Sequence, residues 1–322
     1  MSNDKKKSRS EVVAEYFDLS NIAFLKNVKL QPNKESKWSK SFCEDKEGKC
    51  STLIEVFDIK SADLFRTKFN EAATGLERSR ILTLHSSSLA ALLLFHAVSD
   101  KNPIWIPIAG EYKKFTEVKF EVKYSVDDTD KKNKSNIDIL LSGEDASGKK
   151  NVLFLESKFS EYLESGTAKI SGREYYQTIY KTIYESLKDK DLKMEIGGLN
   201  SDVIYLKGPG LYCKGIKQMV SHYLGLRTEY NRANSSIKVK NIVLGEILFD
   251  FGDASDQMFK SYKDIYSSLK DALEQIVKDD KIKLTINNII TYQEIFELEE
   301  NREYLERLPE RIRKFYLYRT SL

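Results

Sequence analysis

Hydrophobic and polar positions alternate most strictly in "EVKFEVKYS", which begins at Glu117. Val118, Phe120, Val122 and Tyr124 fall on one side, and Glu117, Lys119, Glu121 and Lys123 on the other. A period of two predicts a half-buried strand. Two further strands follow closely, "NIDILLSG" from Asn136 and "NVLFLESKF" from Asn151, separated by the polar turns "DDTDKKNKS" and "EDASGKK". Short strands joined by polar turns predict an antiparallel meander. The period is helical on either side. "SSSLAALLLFHAVSD" starts with serines able to cap a helix and stops before Pro103. "SGREYYQTIYKTIYESLKDK" and "LYCKGIKQMVSHYLGLRTEY" predict two helices, the second ending near Gly225. "VKNIVLGEILFDF" reads as a buried strand, "SDQMFKSYKDIYSSLKDALEQIVKD" as a helix and "KIKLTINNIITY" as a strand. The last segment is a charged helix broken at Pro309. Upstream, "WSKSFCEDKEGKCSTLIEVF" predicts a hairpin turning at "EDKEGK", and "NPIWIPIAGEY" a proline-punctuated connection.

The order is helix, three strands, helices, strand, helix, strand. It predicts an α/β (α+β) fold with a mixed central sheet flanked by helices. The expected organisation is an N-terminal extension over residues 1–60, carrying the hairpin, and a domain over 61–322 ending in a helical elaboration.

Composition narrows the class. The chain has 322 residues, 41% hydrophobic and 31% charged, so it can bury a sizeable core. The net charge is only +3, so an anionic partner has to be met by a local patch. Three cysteines, Cys43, Cys50 and Cys213, make no disulfide framework, and their spacing fits no zinc pattern. The lysine-bearing start lacks an apolar signal region, and the longest apolar run, Leu89 to Val98, is half a membrane span. A cytoplasmic protein with no membrane contact is the expectation.

Candidate chemistry sits at the end of the third strand. Glu156 and Lys158, two apart, share a face with Val152 and Phe154, so a carboxylate and an ammonium lie side by side in an apolar strand. If the preceding strand folds back through "EDASGKK", Asp138 lies beside Glu156. Two carboxylates at strand ends suit a hard divalent cation such as Mg²⁺. A nearby lysine can orient a bound water or neutralise developing charge. The competing reading of Glu156 and Lys158 is an ordinary ion pair. Neither a phosphate-cradling glycine loop nor a serine nucleophile elbow is present.

Asp138 followed eighteen residues later by Glu156-Ser157-Lys158, as "NID…FLESK", resembles the PD-(D/E)XK nuclease superfamily, with Asn136-Ile137 in place of a Pro-Asp start. The resemblance spans roughly residues 75–250 and implies a restriction-endonuclease-like core. It implies an endonuclease that hydrolyses phosphodiester bonds with Mg²⁺ or Mn²⁺. Asp138, Glu156 and the Ser157 carbonyl would bind the metal, and Lys158 would be the catalytic lysine. The family often adds a further acid, for which Glu121 is the first candidate and Glu77 or Glu71 the next. It also often adds a helical glutamine, either Gln218 or Gln177. His222 shares the helix of Gln218 one turn on, whereas His85 and His96 read as structural. The implied partner is nucleic acid, with DNA the expected substrate and a homodimer expected if both strands of a duplex are cut. Lys131, Lys132, Lys134, Lys149 and Lys150, and the C-terminal Arg311, Arg313, Lys314 and Arg319, could meet a phosphate backbone. The alternative function is a non-catalytic nucleic-acid-binding or protein-interaction module that keeps the fold.

Overall fold

The computed structural model describes residues 8–19, 25, 27–32, 40–74, 77–127, 130–145, 147–164, 166–171, 174–190, 192–197, 203–208, 212–235, 237, 241–252, 256–278 and 280–316. Helix α1 (Arg9–Leu19) precedes a small antiparallel pair, β1 (Leu30–Pro32) and β2 (Lys40–Phe42). Four helices follow: α2 (Lys49–Phe57), α3 (Ala62–Ala72), α4 (Glu77–Arg80) and α5 (Ser87–Phe95). Next come the hairpin of β3 (Ile104–Ile108) and β4 (Glu111–Phe115), and the long meander β5 (Glu117–Asp127), β6 (Asp130–Glu144) and β7 (Lys150–Lys158). Strand β8 (Ala168–Ser171), helix α6 (Glu174–Leu187), β9 (Lys193–Gly197) and β10 (Val203–Lys207) lead to the long helix α7 (Cys213–Asn231). Strand β11 (Asn241–Leu248), helix α8 (Asp256–Lys278), β12 (Leu284–Ile286), β13 (Ile290–Thr291) and α9 (Tyr292–Glu297) complete the sheet region. Two short helices, α10 (Arg302–Arg307) and α11 (Glu310–Tyr316), flank Pro309.

The central sheet has six strands in the order β12-β11-β7-β6-β5, with β13 also paired to β11. Strands β5, β6 and β7 are antiparallel, and β7, β11 and β12 are parallel. The fold is therefore a mixed α/β arrangement with an α+β, restriction-endonuclease-like core. Strand β7 lies at the junction of the two halves, which explains its sequence. A strand covered on both faces needs an unbroken apolar run, and Val152, Leu153, Phe154 and Leu155 are all buried. Helix α5 packs on β7 from one side, its first turn closed by Ser86 Oγ accepting from the Leu89 amide at 3.2 Å. Helix α7 crosses β5 and β6.

Several elements differ from the sequence reading. The stretch after "EDKEGK" is helix α2 rather than the return arm of a hairpin. Leu53, Val56 and Phe57 repeat at helical spacing and are buried, and the helix stops at Asp58 in a left-handed conformation (φ 55°). The hairpin partner of Lys40–Phe42 is instead Leu30–Pro32. The proline-punctuated connection is the β3–β4 hairpin, whose turn residues Ala109 and Gly110 both take positive φ, as a tight right-twisted turn requires. Pro107 is tolerated because β3 lies outside the ladder of the central sheet. Asn301 stands in as the missing neighbour, accepting from the Trp105 amide at 2.7 Å and donating to the Trp105 carbonyl at 2.9 Å. The three-stranded sheet β8-β10-β9 was also not anticipated. Gly225 lies inside α7 rather than at its end. A Cβ there would meet Ser135 Cβ at 2.8 Å and Tyr124 Cβ at 3.2 Å, so the glycine permits the close approach of α7 to β5 and β6.

The segment before residue 61 is packed into the same core. Tyr16 of α1 sits edge-on to Phe249 and Phe251 with ring centroids at 5.1 and 5.3 Å, and its hydroxyl donates to the Phe315 carbonyl at 3.0 Å. Phe159 stacks against Phe249 at 4.4 Å in the same cluster. Among the described residues no helix is long and apolar enough to cross a membrane.

Candidate active site

The strand register lines up four carboxylates across four strands. Glu246 of β11 is the direct partner of Glu156 on β7. Asp138 follows the Ile139–Leu155 pair of β6 and β7, which sets it opposite Glu156. Glu121 falls between the Phe120–Ile139 and Val122–Ile137 pairs, opposite Asp138 on its other side. Side chains directly opposite one another across a ladder project to the same side. At Glu121 the backbone adopts φ 53°, uncommon for a residue with a Cβ. The expected alternation of β5 breaks there. Val118 and Phe120 are buried before the kink, and Tyr124, Ser125 and Val126 after it. Glu121 itself is buried (8% exposed) rather than on a wet face, and it accepts a hydrogen bond from the Asn136 amide.

At the centre of the row, Glu156 and Lys158 are each only 2% exposed. The Lys158 ammonium donates to Glu156 Oε1 and, at 3.0 Å, to Gln218 Oε1. The Gln218 amide donates to Glu156 Oε1 at 2.5 Å. One turn further along α7, His222 Nε2 meets Glu156 Oε2 at 2.7 Å, and His222 Nδ1 meets Ser135 Oγ at 2.6 Å. A carboxylate can only accept, so Nε2 carries the hydrogen and the serine hydroxyl satisfies the other nitrogen. Helix α7 thus brings two polar side chains at i and i+4 onto one buried ion pair.

Burial pushes the Glu156 carboxyl up, but Lys158 and His222 outweigh it and hold its pKa down to about 2. Burial pulls the Lys158 ammonium down, and Glu156, Tyr212, Asp138 and Glu246 outweigh that, so its pKa stands well above the ordinary lysine value. The other carboxylates move the opposite way. Burial, reinforced by Glu156 and Glu121, raises Asp138 well above the usual carboxylate range. Burial, with Glu77 and Glu156 nearby, raises Glu121 to about 7. Burial raises Glu246 to about 7 despite the charge of Lys158. Neighbouring acids driven apart in pKa mark a site that is short of positive charge.

The remaining sequence candidates have definite places. Asp138 Oδ2 accepts from the Ser157 amide at 2.8 Å, while the Ser157 hydroxyl points to the opposite face, to the Ser87 carbonyl and Tyr292. Glu77 accepts from Ser88 Oγ at 3.0 Å, and Glu71 pairs with Lys68 and accepts from the Phe120 amide at 3.3 Å. Gln177 lies on α6, which packs against α8, whereas Gln218 reaches the ion pair. His96 is buried against Phe65. Lys134, Lys149 and Lys150 are exposed. Arg311 is not free to reach a ligand, since it donates to the Glu55 and Val56 carbonyls at the end of α2. Lys314 pairs with Glu310 one turn away. The side chains of Lys131 and Lys132, and all of Arg319, lie outside the described residues.

Glu246 escaped the sequence reading altogether. Its Oε2 accepts from Tyr262 at 2.7 Å, and its Oε1 is buried with no hydrogen-bond partner. The available signal was a lone acid inside the apolar run "NIVLGEIL", which is costly unless the acid has a task.

A mixed sheet with this strand order, its antiparallel and parallel halves meeting at an acid-and-lysine strand, defines a restriction-endonuclease-like fold. The family described as "Restriction Endonuclease associating with ARP" matches residues 29–202, more than half of the chain, and the protein belongs to that family. No curated protein and no solved structure matches the chain. The family match takes in Glu77, Glu121, Asp138, Glu156 and Lys158. It stops before α7 and β11, so Gln218, His222 and Glu246 lie beyond it.

Proposed function

We propose that the protein is a metal-dependent endonuclease of the PD-(D/E)XK type that hydrolyses phosphodiester bonds in DNA. The observation that carries this reading is the buried Glu156–Lys158 pair, set beside Asp138 where the two halves of the sheet meet. Membership of a restriction-endonuclease family supports it.

The donor chemistry suits a hard cation. Asp138 and Glu156 supply carboxylate oxygens, and the Ser157 carbonyl would complete the set. Burial, reinforced by the charges of Glu156 and Glu121, raises the pKa of Asp138, and a bound cation would oppose that rise. Among the described residues, no group of three or more Asp, Glu, His or Cys side chains is close enough to hold an ion. The metal would therefore rest on two carboxylates and a carbonyl, and Mg²⁺ binding of that kind keeps several waters. When bound, Mg²⁺ or Mn²⁺ would acidify a water and draw charge from the phosphoryl oxygens.

The protein's own groups divide the remaining work. Lys158 stays protonated, so it acts as a fixed positive donor toward phosphate charge and does not abstract a proton. Gln218 holds both members of the pair in register. His222 fixes the second oxygen of Glu156. Glu121 adds a further buried carboxyl at the end of the row, held by Asn136.

One observation favours a second reading, a nucleic-acid-binding or protein-interaction module. Both oxygens of Glu156 are already taken by Lys158, Gln218 and His222. A cleavage assay separates the two. Plasmid, linear and single-stranded DNA are incubated with Mg²⁺ or Mn²⁺ and with wild type, Glu156→Ala, Asp138→Asn or Lys158→Ala. Cleavage by wild type that each substitution abolishes supports the nuclease. Equal activity in all four rejects the site, and binding without cleavage on every substrate favours the module.

A further inference from the structure

The three-stranded sheet β8-β10-β9 has two unlike faces. Residues directly opposite across a ladder share a side, and so do residues two apart along one strand. Ala168 and Ile170 of β8 and Ile204 and Leu206 of β10 therefore lie on one face, and all four are buried. Lys169 of β8, Tyr205 and Lys207 of β10, and Lys193 and Glu195 of β9 lie on the other. There Lys169, Lys193 and Glu195 are exposed, and Tyr205 and Lys207 half-buried.

The outer face has a definite layout. Tyr205 sits on the middle strand, directly opposite Lys169 on one side and Glu195 on the other. A Cβ on Gly197 would come 3.2 Å from Tyr205 Cε2, so the ring lies against the bare backbone of β9. Lys207 Nζ stands 5.8 Å from the ring centroid. Three lysines meet one acid here, and that acid is already taken, since Glu195 pairs with Lys207 at 2.6 Å. Among the described residues Lys169 and Lys193 have no ion-pair partner. The face thus keeps two uncommitted cations on opposite sides of an aromatic ring.

The sheet is also tied to the ion pair. Gly166, two residues before β8, forms a parallel bridge with Tyr212, whose ring lies 6.0 Å from Lys158 Nζ. Helix α7, which carries Gln218 and His222, packs against β8.

We infer that this face binds single-stranded DNA, with a base stacked on Tyr205 and flanking phosphates met by Lys169 and Lys193. A ring set among cations suits an unpaired strand, because only an unpaired base can offer its flat side to the tyrosine. The inference rests on the nuclease reading and adds to it a substrate class, a strand that is unpaired where it passes Tyr212 on its way from the ion pair.

The test is equilibrium binding of the full chain to a fluorescent oligo-dT and to a duplex of equal length, in EDTA, followed by anisotropy over a range of salt concentrations. Tyr205→Ala should weaken binding to the single strand about 5- to 10-fold, and Tyr205→Phe, which keeps the ring, should bind like wild type. Lys169→Ala and Lys193→Ala, both at exposed positions that leave the apolar face intact, should each lower the slope of log affinity against log salt by about 0.7. Lys101→Ala, an exposed lysine in the loop before β3, should change neither quantity. Wild-type affinity and slope in Tyr205→Ala and in both lysine variants overturn the inference, and equal weakening on duplex and single strand overturns the assignment to unpaired DNA. In either case cleavage that is lost in Lys158→Ala leaves the nuclease reading standing. Weakened single-strand binding in the variants of a protein that cuts nothing keeps the binding face and removes the nuclease.

Discussion

Replacing Gly225 by alanine tests how tightly helix α7 must sit for the ion pair to keep its geometry. The added Cβ falls 2.8 Å from Ser135 Cβ and 3.2 Å from Tyr124 Cβ. Carbon atoms in contact prefer roughly 3.5–4.0 Å, so the nearer pair is short by about 0.7–1.2 Å. Both obstacles are Cβ atoms, fixed to their strands, and no rotamer change moves them aside. The helix or the strands must therefore shift. Overpacking of this kind costs about 1–3 kcal/mol. Alanine regains about 1 kcal/mol of helix propensity over glycine. The net expectation is a protein about 1 kcal/mol less stable, read as a lower urea midpoint at unchanged m-value. The functional effect should be larger, because His222 and Gln218 lie one and two turns up the same helix. Their bonds to Glu156, 2.7 and 2.5 Å long, leave no slack for a displacement of that size. Misplacement by about 1 Å can cost 10²-fold in rate, so cleavage should fall by at least about tenfold. Ser135→Gly removes the nearer obstacle, and in that background Gly225→Ala should cost less than it does alone. A Gly225→Ala protein as stable and as active as wild type would refute the reasoning.

Further outcomes follow from the same geometry. Glu121 and Glu246 have folded pKa values raised to about 7, so folding takes up protons there. Their contribution to stability is lost as pH rises from about 4.5 toward 7, and Glu246→Gln should flatten that slope in a series of urea titrations. Glu156 runs the other way: its folded pKa of about 2 gives stability that is present above about 4.5 and lost as pH falls toward 2, seen as acid unfolding that Glu156→Gln makes shallower. Gln218→Ala should lower cleavage about 10- to 100-fold, the usual effect of losing a partner that orients a catalytic group, and should raise KM little. Mg²⁺ at about 100 times its dissociation constant should stabilise the protein by roughly 2.7 kcal/mol, and Asp138→Asn should abolish the thermal shift.

Much of the core was legible because its signals are local. The alternation after Glu117, the polar turns and the charged pair in an apolar strand all mark the meander without knowledge of the rest of the chain. Asp138 could be set beside Glu156 from one assumption, that the two strands form a hairpin. The kink at Glu121 could not be read, since a positive φ on glutamate has no sequence signature. Helix α2 was mistaken because its polar start resembles a turn, and only burial of Leu53, Val56 and Phe57 against distant residues decides the period. Strand β3 was hidden by Pro103 before it and Pro107 within it, and its backbone is completed by Asn287 and Asn301, nearly two hundred residues away. The pairing of Glu246 with Glu156 likewise depends on a crossover of some eighty residues, beyond any local pattern.

The aromatic cluster around Tyr16 has a consequence for synthesis. Its members come from the first helix and from residues 249, 251 and 315, so the first helix waits for nearly the whole chain. At roughly 5–20 residues per second, about 15–60 s separate the emergence of Tyr16 from that of Phe315. During that interval the apolar side of α1, with Val12, Val13 and Tyr16, lacks the partners that bury it in the folded protein.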